Sequence, residues 1–105
     1  MVSHAIYRSL GKRRASLEPA TYALLRRQGF TGVAITDSLS ALGPGATRWA
    51  RLAVRAGADL VLVQEAADVK PVIRALTPLA RAGRLDEAVK RVIVFRRSLG
   101  FAKVP

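Results

Sequence analysis

The sequence predicts an α/β fold: three consecutive βα units with parallel strands, closed by a C-terminal helix. Two observations carry that prediction. The first is a repeat, with 30 residues from Val2 to Gly32 and 28 from Gly32 to Leu60, about the length of one βα unit. The second is a pair of apolar runs, Gly32-Val33-Ala34-Ile35-Thr36 and Asp59-Leu60-Val61-Leu62-Val63. Strands buried on both faces of a parallel sheet read this way. Three such units and a last helix use up all 105 residues, whereas a closed eight-unit barrel needs ~250. The chain is therefore either a very small open sheet or a piece of something larger, and a strand starting at Val2 favours the piece.

In chain order, Val2-Ser3-His4-Ala5-Ile6-Tyr7 is expected as the first strand, over 2–6, followed by a basic loop from Ser9 to Ala15. Pro19 suits the first position of a helix, where its missing N–H costs nothing. That helix is expected to run to Gln28, with Gly29 supplying the left-handed stop. The second strand is expected over 32–36, and Ser38 to Gly45 as a loop. A helix from Ala46 to Ala56 is closed by Gly57. The third strand is expected over 60–63. Asp68 is placed as the N-cap of a helix through Leu76, interrupted near Pro78. The last helix runs from about Asp86 to Leu99 and ends at Gly100. Its apolar stripe is Leu85, Ala88, Val89, Val92, Ile93 and Leu99.

Composition excludes several classes. Leu, Ile, Val and Phe make up 31 residues and the hydrophobic share is 50%, which is incompatible with disorder. No apolar run approaches the ~18–20 residues a membrane span needs. The N-terminus lacks the basic and apolar regions of a secretory signal, which makes the cytoplasm the default compartment and leaves that of an intact protein open. With no cysteine, disulfide scaffolds, thiolate metal sites and thiol catalysis drop out. One histidine, His4, makes a zinc site unfavourable, so neither metal nor cofactor is expected.

The charge is lopsided, with 18 Lys+Arg against 7 Asp+Glu and a formal net charge of +11. Such a balance raises the prospect of nucleic acid or another polyanion as partner. The placement argues otherwise. Arg26-Arg27, Arg55 and Arg96-Arg97 fall in last helical turns, and Glu18, Asp68, Asp86 and Glu87 at helix starts, as the helix dipole favours. The six aromatic residues (Tyr7, Tyr22, Phe30, Trp49, Phe95, Phe101) form no paired array for stacking bases. A dedicated nucleic-acid face is thus disfavoured.

In parallel α/β folds, function gathers at the C-terminal ends of strands. Three polar groups fall there: Asp37, directly after the second strand; His4, within or near the end of the first; and Gln64-Glu65, after the third. By position alone Asp37 is open between nucleophile, metal ligand and loop cap for the turn at Ser38. His4 alone more often denotes a satisfied core histidine than a catalyst. Gly43-Pro44-Gly45 precedes a helix as a phosphate loop would, but Arg48 replaces the third glycine and the loop starts well past the strand. Trp49, Leu52 and Ala56 at helical spacing read as core.

Around Gly32-Val33-Ala34-Ile35-Thr36-Asp37-Ser38-Leu39-Ser40 the sequence resembles the glycoside hydrolase family 3 N-terminal domain, in its β-N-acetylhexosaminidase branch. Met1-Val2-Ser3-His4-Ala5-Ile6-Tyr7 is similar to that family's sixth barrel strand, and Ala15-Ser16-Leu17-Glu18-Pro19-Ala20 to the start of the helix after it. The segment from Ala53 to Val63 resembles the eighth strand with its lead-in. Gly83 to Val92 resembles the closing helix. Order and spacing match over nearly the whole chain.

The resemblance implies that residues 1–105 are strands six to eight and flanking helices of a TIM (β/α)8 barrel in a retaining glycosidase. It implies that Asp37 is the nucleophile that attacks the anomeric carbon, with His4 and Ser38 lining the sugar pocket. Retention needs a second, acid/base group. In this branch that group is a His with an Asp on a flexible loop upstream of the sixth strand, as is a Lys-His pair that holds the sugar. Neither lies in this chain. Where the family often has a second Asp and, three residues on, a Met, this sequence has Ser38 and Ala41. The implied partner is a carbohydrate, and an unclosed arc is expected to self-associate or to accept an N-terminal half-barrel. Two other readings stand beside this one: a basic α/β module for polyanions, and a half-barrel interaction protein.

Overall fold

The computed structural model describes residues 1–100, and Phe101 lies outside the described residues. Two strands, β1 (Ile35–Ser38) and β2 (Leu60–Leu62), separate the helices α1 (Pro19–Arg27), α2 (Ala46–Ala56) and α3 (Ala66–Arg81), and α4 (Asp86–Ser98) follows α3 directly. The strands pair in parallel. The α/β class and parallel pairing are as expected, and the differences lie in where the strands begin.

The first expected strand shrinks to a single parallel bridge, Val2 with Thr36. It is made by Val2 N–H to the Ile35 carbonyl (2.7 Å) and Asp37 N–H to the Val2 carbonyl (2.9 Å). Beyond Val2 the backbone is claimed from the other side. Ser16 N–H donates to the Ser3 carbonyl and Ala15 N–H to the Ala5 carbonyl, from the 3-10 turn Ala15–Leu17. Residues 3–6 thus pair with a turn instead of extending the sheet.

The second strand, expected over 32–36, lies over 35–38. Its expected opening residues satisfy their polar groups on side chains: Arg26 Nη1 donates to the Gly32 carbonyl (2.6 Å), and Ala34 N–H donates to Asp59 Oδ2 (2.9 Å). Pairing also slips within the strand, with Ile35 opposite Leu60 but Ser38 opposite Leu62. An extra residue on β1 is the mark of a bulge, which re-aims side chains locally. Fully buried Thr36 holds the slip, its Oγ1 accepting the Leu62 N–H at 3.1 Å.

The helices bury the sheet on one side. One cluster joins Leu17, Tyr22, Ala34, Ala53 and Ala58; a second joins Leu39, Ala50 and Val72. Gly57 ends α2 at φ +133, and a Cβ there would stand 2.7 Å from Tyr22 Cβ, so both conformation and close approach require glycine. Helix α3 starts at Ala66, making Glu65 the N-cap and placing Asp68 in its first turn, and it continues through Pro71 and Pro78 to Arg81. Each proline removes one backbone donor, and burial of the residue that follows each, Val72 and Leu79, offsets that loss.

Double-sided burial of the third strand does not occur. Leu60 and Leu62 are each 37% exposed. Nor is α4 a core helix: none of its residues is buried. Its stripe from Leu85 to Ile93 lines an apolar groove of about 510 Å³ with Val61, Val72, Ile73 and Leu76, while Leu99 lies outside it and is exposed. No described helix is long and apolar enough to cross a membrane.

Candidate active site

Parallel pairing brings Asp37, Ser38, Ser40 and Gln64 to one edge, at the C-terminal ends of β1 and β2. Asp37 is half-buried. It lies within β1 rather than just after it, its N–H fixed by the Val2 carbonyl. Its carboxylate accepts one described hydrogen bond, from its neighbour Ser38 N–H to Oδ1 at 2.8 Å. Oδ2 has no described hydrogen-bond partner.

His4 reaches this edge from the N-terminal segment. Its Nε2 lies 2.7 Å from the Ser38 carbonyl and its Nδ1 2.6 Å from Ser16 Oγ. A carbonyl only accepts, so Nε2 carries a proton, and in the neutral ring Nδ1 takes the Ser16 hydroxyl hydrogen. Ser16 is fully buried and Tyr22 Oη donates to its carbonyl at 2.7 Å. Burial first, then the nearby Asp59 charge, push the Tyr22 phenol above its ordinary value. The line Tyr22–Ser16–His4–Ser38 therefore ties α1 to the backbone next to Asp37. Both ring nitrogens of His4 are used inside the protein.

Ser38 Oγ is likewise engaged: it donates to Gln64 Oε1 (3.0 Å), as Ser40 Oγ also does, and the two hydroxyl oxygens lie 2.9 Å apart. Gln64 thus joins the ends of β1 and β2. Its position after the third strand marked it in the sequence; its partners did not show there.

The opposite edge holds a carboxylate that sequence reasoning missed. Asp59, with its side chain 1% exposed, accepts from Arg26 Nη2 (2.7 Å) and the Ala34 N–H (2.9 Å) at Oδ2, and from Arg91 Nη1 (3.0 Å) at Oδ1. It binds α1, the lead-in to β1, and α4 to one point. The only signal was its place before an apolar run, and Arg26 had read simply as a helix-end cation. Among the described residues, no group of three His, Asp or Glu side chains is set to hold a metal ion.

This arrangement can be set beside known proteins. The model of the glycosyl hydrolase family 3 N-terminal domain matches residues 1–95. Among solved structures, a family 3 glycosyl hydrolase from Mycobacterium smegmatis is 33% identical, with TM-score 0.75 over 87% of this chain and 32% of its own. LpqI of M. tuberculosis is 30% identical, with TM-score 0.75 over 88% of this chain and 32% of its own. A fungal multi-domain family 3 β-N-acetylglucosaminidase is 26% identical, with TM-score 0.79 over 92% of this chain and 13% of its own. The chain thus spans about a third or less of the length of these relatives. A comparison with curated proteins finds no match. The family match over residues 1–95, carried on a parallel βα arrangement shared with these structures, means that this chain belongs to glycosyl hydrolase family 3, in its N-terminal domain.

Proposed function

We propose that this chain is the nucleophile-bearing portion of a retaining, β-N-acetylhexosaminidase-like glycoside hydrolase, with Asp37 as the nucleophile. The observation that carries the reading is the state of Asp37: a carboxylate at the strand ends with a single backbone hydrogen bond. A nucleophile needs an oxygen lone pair free to meet an anomeric carbon. The bulge in β1 supports the same reading, since such irregularities re-aim side chains beside active sites. Asp37 attacks the anomeric carbon and forms a glycosyl-enzyme, while the proton reaches the leaving oxygen from an acid supplied by barrel units outside these 105 residues. His4, which holds the Ser38 carbonyl, and Ser38, held to Gln64, line the sugar pocket beside Asp37.

The test is to complete the barrel with the upstream units of a relative and assay an aryl β-N-acetylglucosaminide. Hydrolysis with retained configuration is expected. Asp37→Asn then loses at least ~10³-fold in rate, about 4 kcal/mol of transition-state stabilisation, with an unchanged fold. Parental turnover by Asp37→Asn would return Asp37 to the role of a loop cap.

A second reading, a half-barrel that pairs with another segment, is favoured by Leu60 and Leu62, which leave β2 open. On that reading the isolated chain self-associates, and its melting temperature rises with protein concentration. A concentration-independent melt of a monomer contradicts it.

A further inference from the structure

The basic residues do not all end at helix dipoles. Lys12, Arg13 and Arg14, from the loop that leaves the N-terminal segment, and Arg48, from the first turn of α2, ring a cavity of about 390 Å³ floored by Trp49 and Leu52. Both bounding segments lie on the C-terminal side of the strands, the side that carries Asp37. Among the described residues, no carboxylate forms an ion pair with any of these four cations. Arg14 spends one Nη1 hydrogen on the His4 carbonyl (3.1 Å), and the Arg48 guanidinium lies 5.1 Å over the Trp49 ring. Four like charges around one cavity repel one another, and arginine forks match carboxylate oxygens in pairs.

We propose that this cavity is a binding site for the carboxylate groups of an acidic oligosaccharide. The ligand class rests on the glycosidase reading above, which brings a glycan to this edge. The cavity adds that the glycan is anionic. Its sugar C–H faces pack on Trp49 and Leu52 while its carboxylates meet Lys12, Arg13, Arg14 and Arg48. Nucleic acid fits less well, because stacking successive bases needs several aromatic rings and this cavity offers one, Trp49.

Trp49 is the one tryptophan of the chain, so its fluorescence reads this cavity directly. The 105-residue chain is titrated at physiological salt with tetragalacturonate, with neutral chitotetraose and with a single-stranded DNA of equal charge. Tetragalacturonate is expected to give a saturable change, and the other two weaker binding or none. Lys12→Gln/Arg13→Gln, with matched circular dichroism, should weaken it about tenfold or more, the size of lost charge-assisted hydrogen bonds. Arg74→Gln/Arg97→Gln, exposed on α3 and α4, should leave it within about twofold, because non-specific attraction alone would respond to any lost charge. An absent saturable change, equal weakening by both pairs, or tighter DNA binding overturns the proposal. Asp37→Asn should bind like the parent, so failure of the cavity and failure of the nucleophile assignment give different results.

Discussion

Asp37 and Asp59 are the same side chain at opposite edges of one two-stranded sheet, and they are treated in opposite ways. Asp59 is out of solvent and accepts from two guanidinium groups and a backbone N–H. Asp37 is half-buried and accepts from one backbone N–H. Burying a carboxylate without partners is costly, so Asp59 is held only because its partners are complete. A carboxylate so saturated has no oxygen to give to chemistry. The difference follows the general division of parallel α/β folds, where the C-terminal edge does the chemistry and the N-terminal edge holds the structure together.

The division breaks most sharply by exchanging insults between the two residues. In a completed barrel, Asp37→Asn is expected to remove at least ~10³-fold in rate while leaving the urea midpoint in place. Asp59→Ala is expected to cost roughly 3 kcal/mol in stability, because two arginines and an amide lose their shared acceptor. Urea titration of the isolated chain measures it, and a loss below about 1 kcal/mol would mean that water replaces the carboxylate without penalty.

Between the two edges runs the Tyr22–Ser16–His4–Ser38 line. Ser16→Ala removes the group facing His4 Nδ1 and should cost about 1–2 kcal/mol. Nitrogen-15 shifts of the ring should still show a proton on Nε2, since the Ser38 carbonyl remains its acceptor. Loss of that proton would separate His4 from the strand.

The smallest effect concerns pH. Tyr22 is raised in the folded chain, so its contribution is complete below the ordinary tyrosine value of 10.0. As pH climbs above that value the unfolded chain releases the phenolic proton while the folded chain keeps it, and stability falls. Urea midpoints between pH 9 and 11 (about one unit either side of the ordinary value) should drop in the parent more than in Tyr22→Phe. Equal slopes would show that Tyr22 ionises freely when folded.

How much of this was legible in the sequence depended on range. Helix α1 is bounded by Pro19 and Gly29 and α2 ends at Gly57, local signals that act within a few residues. The parallel class followed from the spacing of the βα units. The start of β1 did not, because it is set by Arg26 and Asp59, which lie 33 residues apart in the chain. The fading of the first strand was equally hidden, since it depends on which backbone groups the turn at Ala15–Leu17 captures. At the site, the position of Asp37 was legible and its isolation was not. The partners that hold His4 and Ser38 in place, Ser16, Ser40 and Gln64, were hidden as well, because two of these pairs join residues 12 and 26 apart in the chain.

On this reading Asp37 is the reactive carboxylate and Asp59 the structural one. The most direct measurement is to trap the glycosyl-enzyme of the completed barrel with a slowly released activated glycoside and locate the sugar by peptide mass spectrometry. One glycosyl group per chain is expected, on the peptide holding Asp37 and at its carboxylate, and none in Asp37→Asn. A sugar attached to any other carboxylate, or one that persists in Asp37→Asn, would contradict it.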